Sequence, residues 1–354
     1  MNTPGKNPKK HKVTSRDVAE RAGVSRSAVS RSFTPGAYVS EAIRKKVHLA
    51  AKELGYLPNA LARSLIGGES SLVALIIGPM ASPHDALVIE AVTCKLAELG
   101  KRVLLVPVPA TRVADDSLLE ALSYQVEAAV VFAGTVGPQA AERCTRIGTR
   151  LILFGRIVDV PDTCCIIYDN IAAAQAAGRF LLRCGHRKIA YIGTRHNAFS
   201  DRERHAGLSH VLGEAGLEIH AFEKGDYGHD SGYQAALKML GSIDPPDAIF
   251  SSNDGMALGA IDAARTLGIR VPDDLAVIGI DNNPMGDWAA FRLTSWGIPV
   301  DDIANVIADE IMAKTVSDTA AENDDSGDST PPAARTIRLP LTLTVRDSTR
   351  RMTL

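Results

Sequence analysis

The 354-residue chain contains no run of about eighteen apolar residues, the length a helix needs to cross a bilayer, so no membrane span is expected. Its start, MNTPGKNPKKHK, is polar and lysine-rich and lacks the apolar centre of a secretory leader. Cysteine is sparse and odd in number: Cys94, Cys144, Cys164, Cys165 and Cys184 form no C-x-x-C pair, which excludes the common zinc and dithiol motifs and suits reduced thiols in the cytoplasm. The phosphate-cradling patterns G-x-G-x-x-G and G-x-x-x-x-G-K-[ST] are missing, as is the G-x-S-x-G elbow of a serine nucleophile. His84, His186, His205 and His229 show no metal-ligand spacing, and His186 follows Gly185 as a turn residue would. The expectation is therefore no cofactor, no metal and no enzyme.

What is present is divided. The formal net charge of −2 hides a basic head: residues 1–65 carry 13 Lys+Arg against 4 Asp+Glu, and the remainder carries 26 against 37. Such a split assigns a polyanionic partner to the head alone. The length implies two or three domains, and 45% hydrophobic residues are enough to fill their cores.

Within the head, TSRDVAERAGVSRSAVSRSF (14–33) reads as two short helices around a tight turn. Thr14 and Asp17 have capping-box spacing, Val18, Ala19 and Ala22 form an apolar stripe, and Gly23 ends the first helix. Ser25 caps the second, which carries Arg26, Ser27, Ser30 and Arg31 on one side and Ala28 and Val29 on the other. A braced helix tipped with arginine and serine suits a major groove; the alternative is an ordinary helical hairpin with solvated charges. Ser40 then caps a third helix with apolar positions Ile43, Val47, Ala50, Ala51 and Leu54, and Arg44, Lys45 and Lys46 gather near its start, where they serve phosphates. Ala60 to Leu65 is too short to hold a helix alone and would fold only against a twin copy and DNA, with small Ala62 allowing close approach and Leu65 acting as an apolar wedge. A plain linker is the alternative there.

The stretches DVAERAGVS, AVSR, VS-(x)3-R-(x)2-V and LGYLPNALARSL, in this order across 14–65, resemble the head and hinge of the lactose-repressor (LacI/GalR) family of bacterial transcriptional regulators. The resemblance implies Arg26, Ser27 and Arg31 as base-reading positions, Asn59 as a backbone contact, and Ala62 and Leu65 as the hinge pair. Together with Thr14, Ser25 and Ser30 these make up the expected DNA-binding set. Arginine suits guanine because its fork matches O6 and N7, worth roughly 1–3 kcal/mol of discrimination per base.

From residue 71 onward apolar runs alternate with helical stretches. The runs are 72–77, 102–108, 128–133, 150–154, 188–193, 248–252 and 275–280, and the helices include 85–99, 171–184, 203–215, 230–241 and 256–267. Strands that are apolar on both faces and separated by helices imply parallel α/β sheets, here enough for two lobes. Asp169-Asn170, CGHRKIAYIG, RERHAG, GDYGHDSGY, SNDGMALGA, VIGIDN and LTVRDST follow in the order of the same family's effector core, itself similar to periplasmic sugar-binding proteins. The expected fold class is thus an all-α helix-turn-helix head plus an α/β two-lobed periplasmic-binding-protein-like core. The expected divisions are a disordered basic tail (1–12), a DNA-binding domain (13–58), a hinge (59–68) and a core (69–350). Three crossings in the family place one lobe at about 70–168 with 297–327, and the other at 169–296 with 328–350.

Ligands of such sheets sit beyond the carboxyl ends of the strands, in the crevice between lobes. Arg204 falls where the family has an arginine clamp, and Asp281 directly follows a strand, where a carboxylate can accept from hydroxyls or ring nitrogens. Asn253 is the matching amide and Tyr227 sits at the family's stacking aromatic. His84, in Ser82-Pro83-His84-Asp85, stands where the family often has aromatics, so the ligand is charged or this loop turns outward. Asp169 and Asp254 read as helix caps. The expected partners are operator DNA, a small-molecule effector of the sugar kind and a second copy of the chain. Residues 315–335 are acidic and proline-containing and read as a mobile loop. No apolar heptads follow RDSTRRMTL, and since tetramers of the family use such a tail, the expected assembly is a dimer.

Overall fold

The computed structural model describes residues 13–34, 36–57, 71–80, 82–109, 113–132, 136–194, 198–313 and 333–349. The basic tail, the hinge with Asn59, Ala62 and Leu65, and most of the acidic loop lie outside the described residues. The chain divides into two units between Ser70 and Ser71.

The first unit holds three helices, α1 (Ser15–Ala22), α2 (Arg26–Phe33) and α3 (Glu41–Leu54). The Thr14 amide and hydroxyl both donate to the Asp17 carboxylate at 2.7 and 2.9 Å, which closes the start of α1. Gly23 at φ 67° ends it in the left-handed region that favours glycine, leaving two residues before α2 begins. Ser25 caps α2 by accepting from the Ala28 amide at 3.2 Å. Val18, Val29 and Val47 are fully buried, one from each helix, and form the centre of a small core. This core fixes which face of α2 turns outward.

The second unit contains two six-stranded sheets. The first runs β1 (Leu72–Ile77), α4 (Pro83–Glu98), β2 (Arg102–Pro107), α5 (Ala114–Leu122), β3 (Ala128–Val131), α6 (Pro138–Arg146), β4 (Arg150–Phe154) and β5 (Thr163–Tyr168). The chain then passes to α7 (Asn170–Arg183), β6 (Ile189–Thr194), α8 (Phe199–Glu214), β7 (Ala221–Gly225), α9 (His229–Leu240), β8 (Ala248–Ser251), α10 (Asp254–Thr266), β9 (Ala276–Ile280) and β10 (Thr294–Gly297). It returns through α11 (Val300–Met312), which packs on α4 in the first lobe, and finishes with β11 (Arg335–Leu339) and β12 (Thr342–Thr344).

The strand orders are β11-β5-β4-β3-β1-β2 and β12-β10-β9-β8-β6-β7, parallel throughout apart from the antiparallel β10–β12 pair. The central strands are buried on both faces, so they read as continuous apolar runs. One lobe boundary needs correction. Residues 335–339, expected in the second lobe with the rest of 328–350, pair in parallel with β5 in the first sheet, and only β12 joins the second. The third crossing thus lies near residue 340. Alternating hydropathy marks a strand but carries no label for the sheet it enters.

Glycines in the motifs 225–233 and 252–260 set the spacing of α9 and α10. A Cβ on Gly232 would lie 2.2 Å from the Met256 carbonyl oxygen, and one on Gly259 would lie 2.1 Å from that of His229. Only bare backbone allows the two helices to approach this closely, and their amino ends carry the cleft residues described next.

Candidate nucleic-acid interface and ligand site

On the head, the outward face of α2 presents Arg26, Ser27 and Arg31 to solvent, with Ser30 half-buried beside them. Ser25 and Ser27 share a hydroxyl contact of 2.9 Å. Other head cations have acids to hand: Arg16 meets Glu20 at 3.2 Å, Arg21 meets Glu53 at 2.6 Å and Lys45 meets Glu41 at 2.8 Å. Among the described residues no carboxylate pairs with Arg26 or Arg31. Thr14 is exposed but its hydroxyl is engaged with Asp17, so its first role is to start α1. Arg44, expected to face phosphates, donates to the Ala37 carbonyl at 3.1 Å and ties α3 to the preceding loop.

In the second unit the carboxyl ends of both sheets contribute to one cleft. Arg204, on the first turns of α8, is 4% exposed. Its Nε donates to Asn170 Oδ1 at 2.9 Å and one terminal nitrogen donates to the Ser252 carbonyl, while the other meets no acceptor among the described residues. Asn170 also donates to Glu203 at 3.1 Å, and Glu203 meets Arg338 of β11 at 3.4 Å. The clamp is therefore connected to the strand that crosses between lobes.

Asp281 emerges from β9 at φ 127° and is followed by Asn282 at φ 52°, two non-glycine residues in the sparsely populated half of backbone space. Such conformations cost about 1–3 kcal/mol each and persist only where neighbours enforce them. Arg346 does so here, donating to Asn282 Oδ1 at 2.9 Å and to the Leu293 carbonyl at 2.7 Å. The Asn282 amide donates to Ser295, whose hydroxyl donates to Asp254 at 2.6 Å.

Asp254 and Asp281 are both buried, and burial lifts both carboxyl groups well above the usual range. Asp281 repels Asp254 and raises it further, whereas Arg204 favours the ionised form of Asp281. The unfolded chain ionises these groups near pH 4, so stability held below that pH is lost as pH rises towards the raised folded value. Urea titrations from pH 4 to 8 should show that loss, and Asp281→Asn should flatten the slope by roughly 1–3 kcal/mol.

Two expectations change. Asp254 was to cap α10, but Asn253 occupies the cap, accepting from the Met256 amide at 3.1 Å and donating to the Tyr227 carbonyl at 2.9 Å. At 2% exposure Asn253 reaches the cleft through Tyr227 rather than by offering its own amide. Tyr227, half-buried at φ 72°, has its phenol close to Arg204. Asp169 does cap α7, accepting from Ala172 at 3.3 Å.

His84 turns inward rather than offering a charged group to solvent. It is buried on the first turn of α4, with Nε2 at 2.8 Å from the Tyr168 hydroxyl, and burial lowers its pKa towards the neutral imidazole. Asp85 beside it is exposed and accepts from the Ser82 amide at 3.2 Å in the cap of α4. Apolar ring faces come instead from the strand ends, where Phe132, Phe154 and Tyr168 follow one another at centroid distances of 5.5 Å.

Sequence reasoning missed Tyr168, Arg156 and Arg346. Tyr168 closes a strand hidden in TCCIIY, where paired cysteines mask the β-branched signal. Arg156 follows Gly155 at the end of β4 and lies close to Tyr227.

Residues 14–59 match the model of bacterial regulatory proteins of the lacI family, and residues 179–349 match the periplasmic binding protein-like domain. The chain is 31% identical over 298 residues to catabolite control protein A of Priestia megaterium, covering 83% of this chain and 90% of that one. It is 33% identical over 277 residues to the transcriptional repressor PurR of Serratia proteamaculans, covering 76% and 81%. Among solved structures, the Lac repressor dimer bound to operator and the anti-inducer ONPF superposes with a TM-score of 0.80 at 26% identity, over 96% of this chain and 99% of that one. A complex of the transcriptional regulator CelR with cellobiose gives 0.64 at 28%, over 95% and 99%. With a reading helix ahead of a two-sheet ligand core and relatives alike along most of its length, the chain belongs to the lacI family of bacterial regulatory proteins.

Proposed function

We propose that this protein is a transcriptional repressor that binds operator DNA as a homodimer and whose grip is set by a small metabolite, of the sugar kind, held between its two lobes. The observation that carries the reading is the contrast between two sets of arginines. Among the described residues Arg26 and Arg31 have no acidic partner on the open face of α2, while Arg204 is buried near Asp281 with one terminal nitrogen that meets no acceptor among them. The first arrangement suits base edges and phosphates and the second suits a small molecule. Thr14, Ser25, Ser27 and Ser30 support the reading helix, and Asn59, Ala62 and Leu65 would contact DNA. Arg204, Asp281 and Tyr227 hold the effector, with His84 and Asn253 fixing the walls around them.

Two half-sites need two copies of the chain, which is why the protein acts as a homodimer. No helix among the described residues is long and apolar enough to cross a membrane, and the protein works in the cytoplasm, where its DNA is. It carries out no chemistry on its ligand.

Linkage supplies the test. If an effector shifts operator affinity by some factor, operator must shift effector affinity by the same factor. Operator selected from a random pool, followed by effector titrations with and without it, should return equal factors of about 5–150. Equal effector affinity in the two titrations sinks the reading.

A further inference from the structure

We infer that the cleft selects an acidic ligand, a polyol bearing a phosphate or a carboxylate, and that Arg156 receives its acidic group. This rests on the reading of the cleft as an effector site and specifies what that site takes.

Gly155 at φ 75° turns the chain at the carboxyl end of β4 and places Arg156 just beyond that strand end, where ligands of such sheets sit. The buried or bridging arginines elsewhere in the core have acids close by: Arg204 has Asp281, Arg346 has Asp287, Arg338 has Glu203 and Arg335 has Glu310. Arg156 has none among the described residues. Its one hydrogen bond is a long one, 3.4 Å from Nε to the Phe154 carbonyl. The Tyr227 phenol of the opposite lobe acts on its charge. Asp85, the exposed acid at the same mouth, acts on His84 and Asp281 instead. A guanidinium drawn out of water without a counter-charge is unfavourable, and burial pulls its pKa down to about 10, so it still carries its charge at neutral pH.

An anion beside the Tyr227 hydroxyl would supply the missing charge. Because Tyr227 also lies near Arg204, that anion would meet guanidinium groups from both lobes. Asp281 lies deeper and offers an acceptor for hydroxyl groups. One end of the cleft therefore calls for negative charge and the other for hydrogen-bond donors.

The first probe is inorganic phosphate, titrated into the full-length protein against sodium chloride at constant ionic strength, with thermal unfolding of the core as readout. Phosphate should raise the melting midpoint of the wild type in proportion to the logarithm of its concentration above Kd. The rise should vanish in Arg156→Gln, return in part in Arg156→Lys, and persist in Arg31→Ala, which removes an anion contact of the head. No rise beyond chloride, or an undiminished rise in Arg156→Gln, overturns the inference.

Calorimetry with glucose, gluconate and glucose 6-phosphate then separates the sources. At least one acidic member should bind ten-fold or more tightly than glucose in the wild type and lose that margin in Arg156→Gln. Glucose binding as tightly as both acids also overturns it. The two readings fail separately: neutral sugars alone shifting operator affinity would remove this inference and keep the repressor, whereas an Arg156-dependent anion with no effect on operator affinity would do the reverse.

Discussion

Arg204→Ala is expected to abolish the effector response while the protein still binds operator. The side chain is 4% exposed and holds three neighbours at once: Asn170 Oδ1, the Ser252 carbonyl and the charge of Asp281. Removing it leaves two buried acceptors and a buried carboxylate without their cation, a loss of about 3–5 kcal/mol in core stability. Effector affinity should fall at least about 100-fold, the effect of losing a charged hydrogen bond together with the geometry it holds. The reading helix belongs to a separate unit of the chain, so operator affinity measured without effector should stay within about two-fold of wild type. Calorimetry for effector, fluorescence anisotropy for operator and a thermal melt separate the three quantities. If the alanine variant melts too early, Arg204→Lys keeps the charge but loses the fork and should still fail to respond. Loss of operator binding in a folded Arg204 variant would contradict the division between head and core.

Arg31→Ala is expected to remove specificity and leave weak, sequence-blind binding. A guanidinium with both guanine acceptors discriminates by about 1–3 kcal/mol, or roughly 5- to 150-fold per head. A dimer applies that loss twice, so the preference for operator over random duplex should fall by roughly 30- to 20,000-fold. Non-specific affinity should change far less, with the slope of log K against log salt falling by no more than about one per lost phosphate contact. Arg31 is exposed and adds nothing to the valine core, so the head should melt as before. An unchanged operator-to-random ratio would assign base reading to another face.

The helix-turn-helix could be read almost residue by residue because its elements are local. Thr14–Asp17, Gly23 and Ser25–Ala28 are capping relations a few positions apart, and spacing alone shows them. The place of Asp281 at the end of an apolar strand was also legible, and the structure buries both it and Arg204. What the sequence hid was set by partners far along the chain. Asn253 and Asp254 are adjacent polar residues after β8, and a helix start displaced by one position decides which is the cap and which the buried acid. His84 reads as a charged addition to the cleft until Tyr168, 84 positions away, accounts for it. Arg156 looks like an ordinary turn residue, and its interest lies in having no acid beside it among the described residues, which only three dimensions reveal. The sheet that β11 enters is likewise a matter of hydrogen bonding to β5, invisible to hydropathy.

The core chain passes between its lobes after β5, after β10 and after β11. Three tethers along a shared edge behave as a door on three pins, so opening and closing is a swing about that edge. Whatever molecule fills the gap, its shape and chemistry are reduced to one angle before anything is passed on. The lining can therefore diverge from one regulator to another without the output side having to be rebuilt, since every occupant speaks through the same one-dimensional motion.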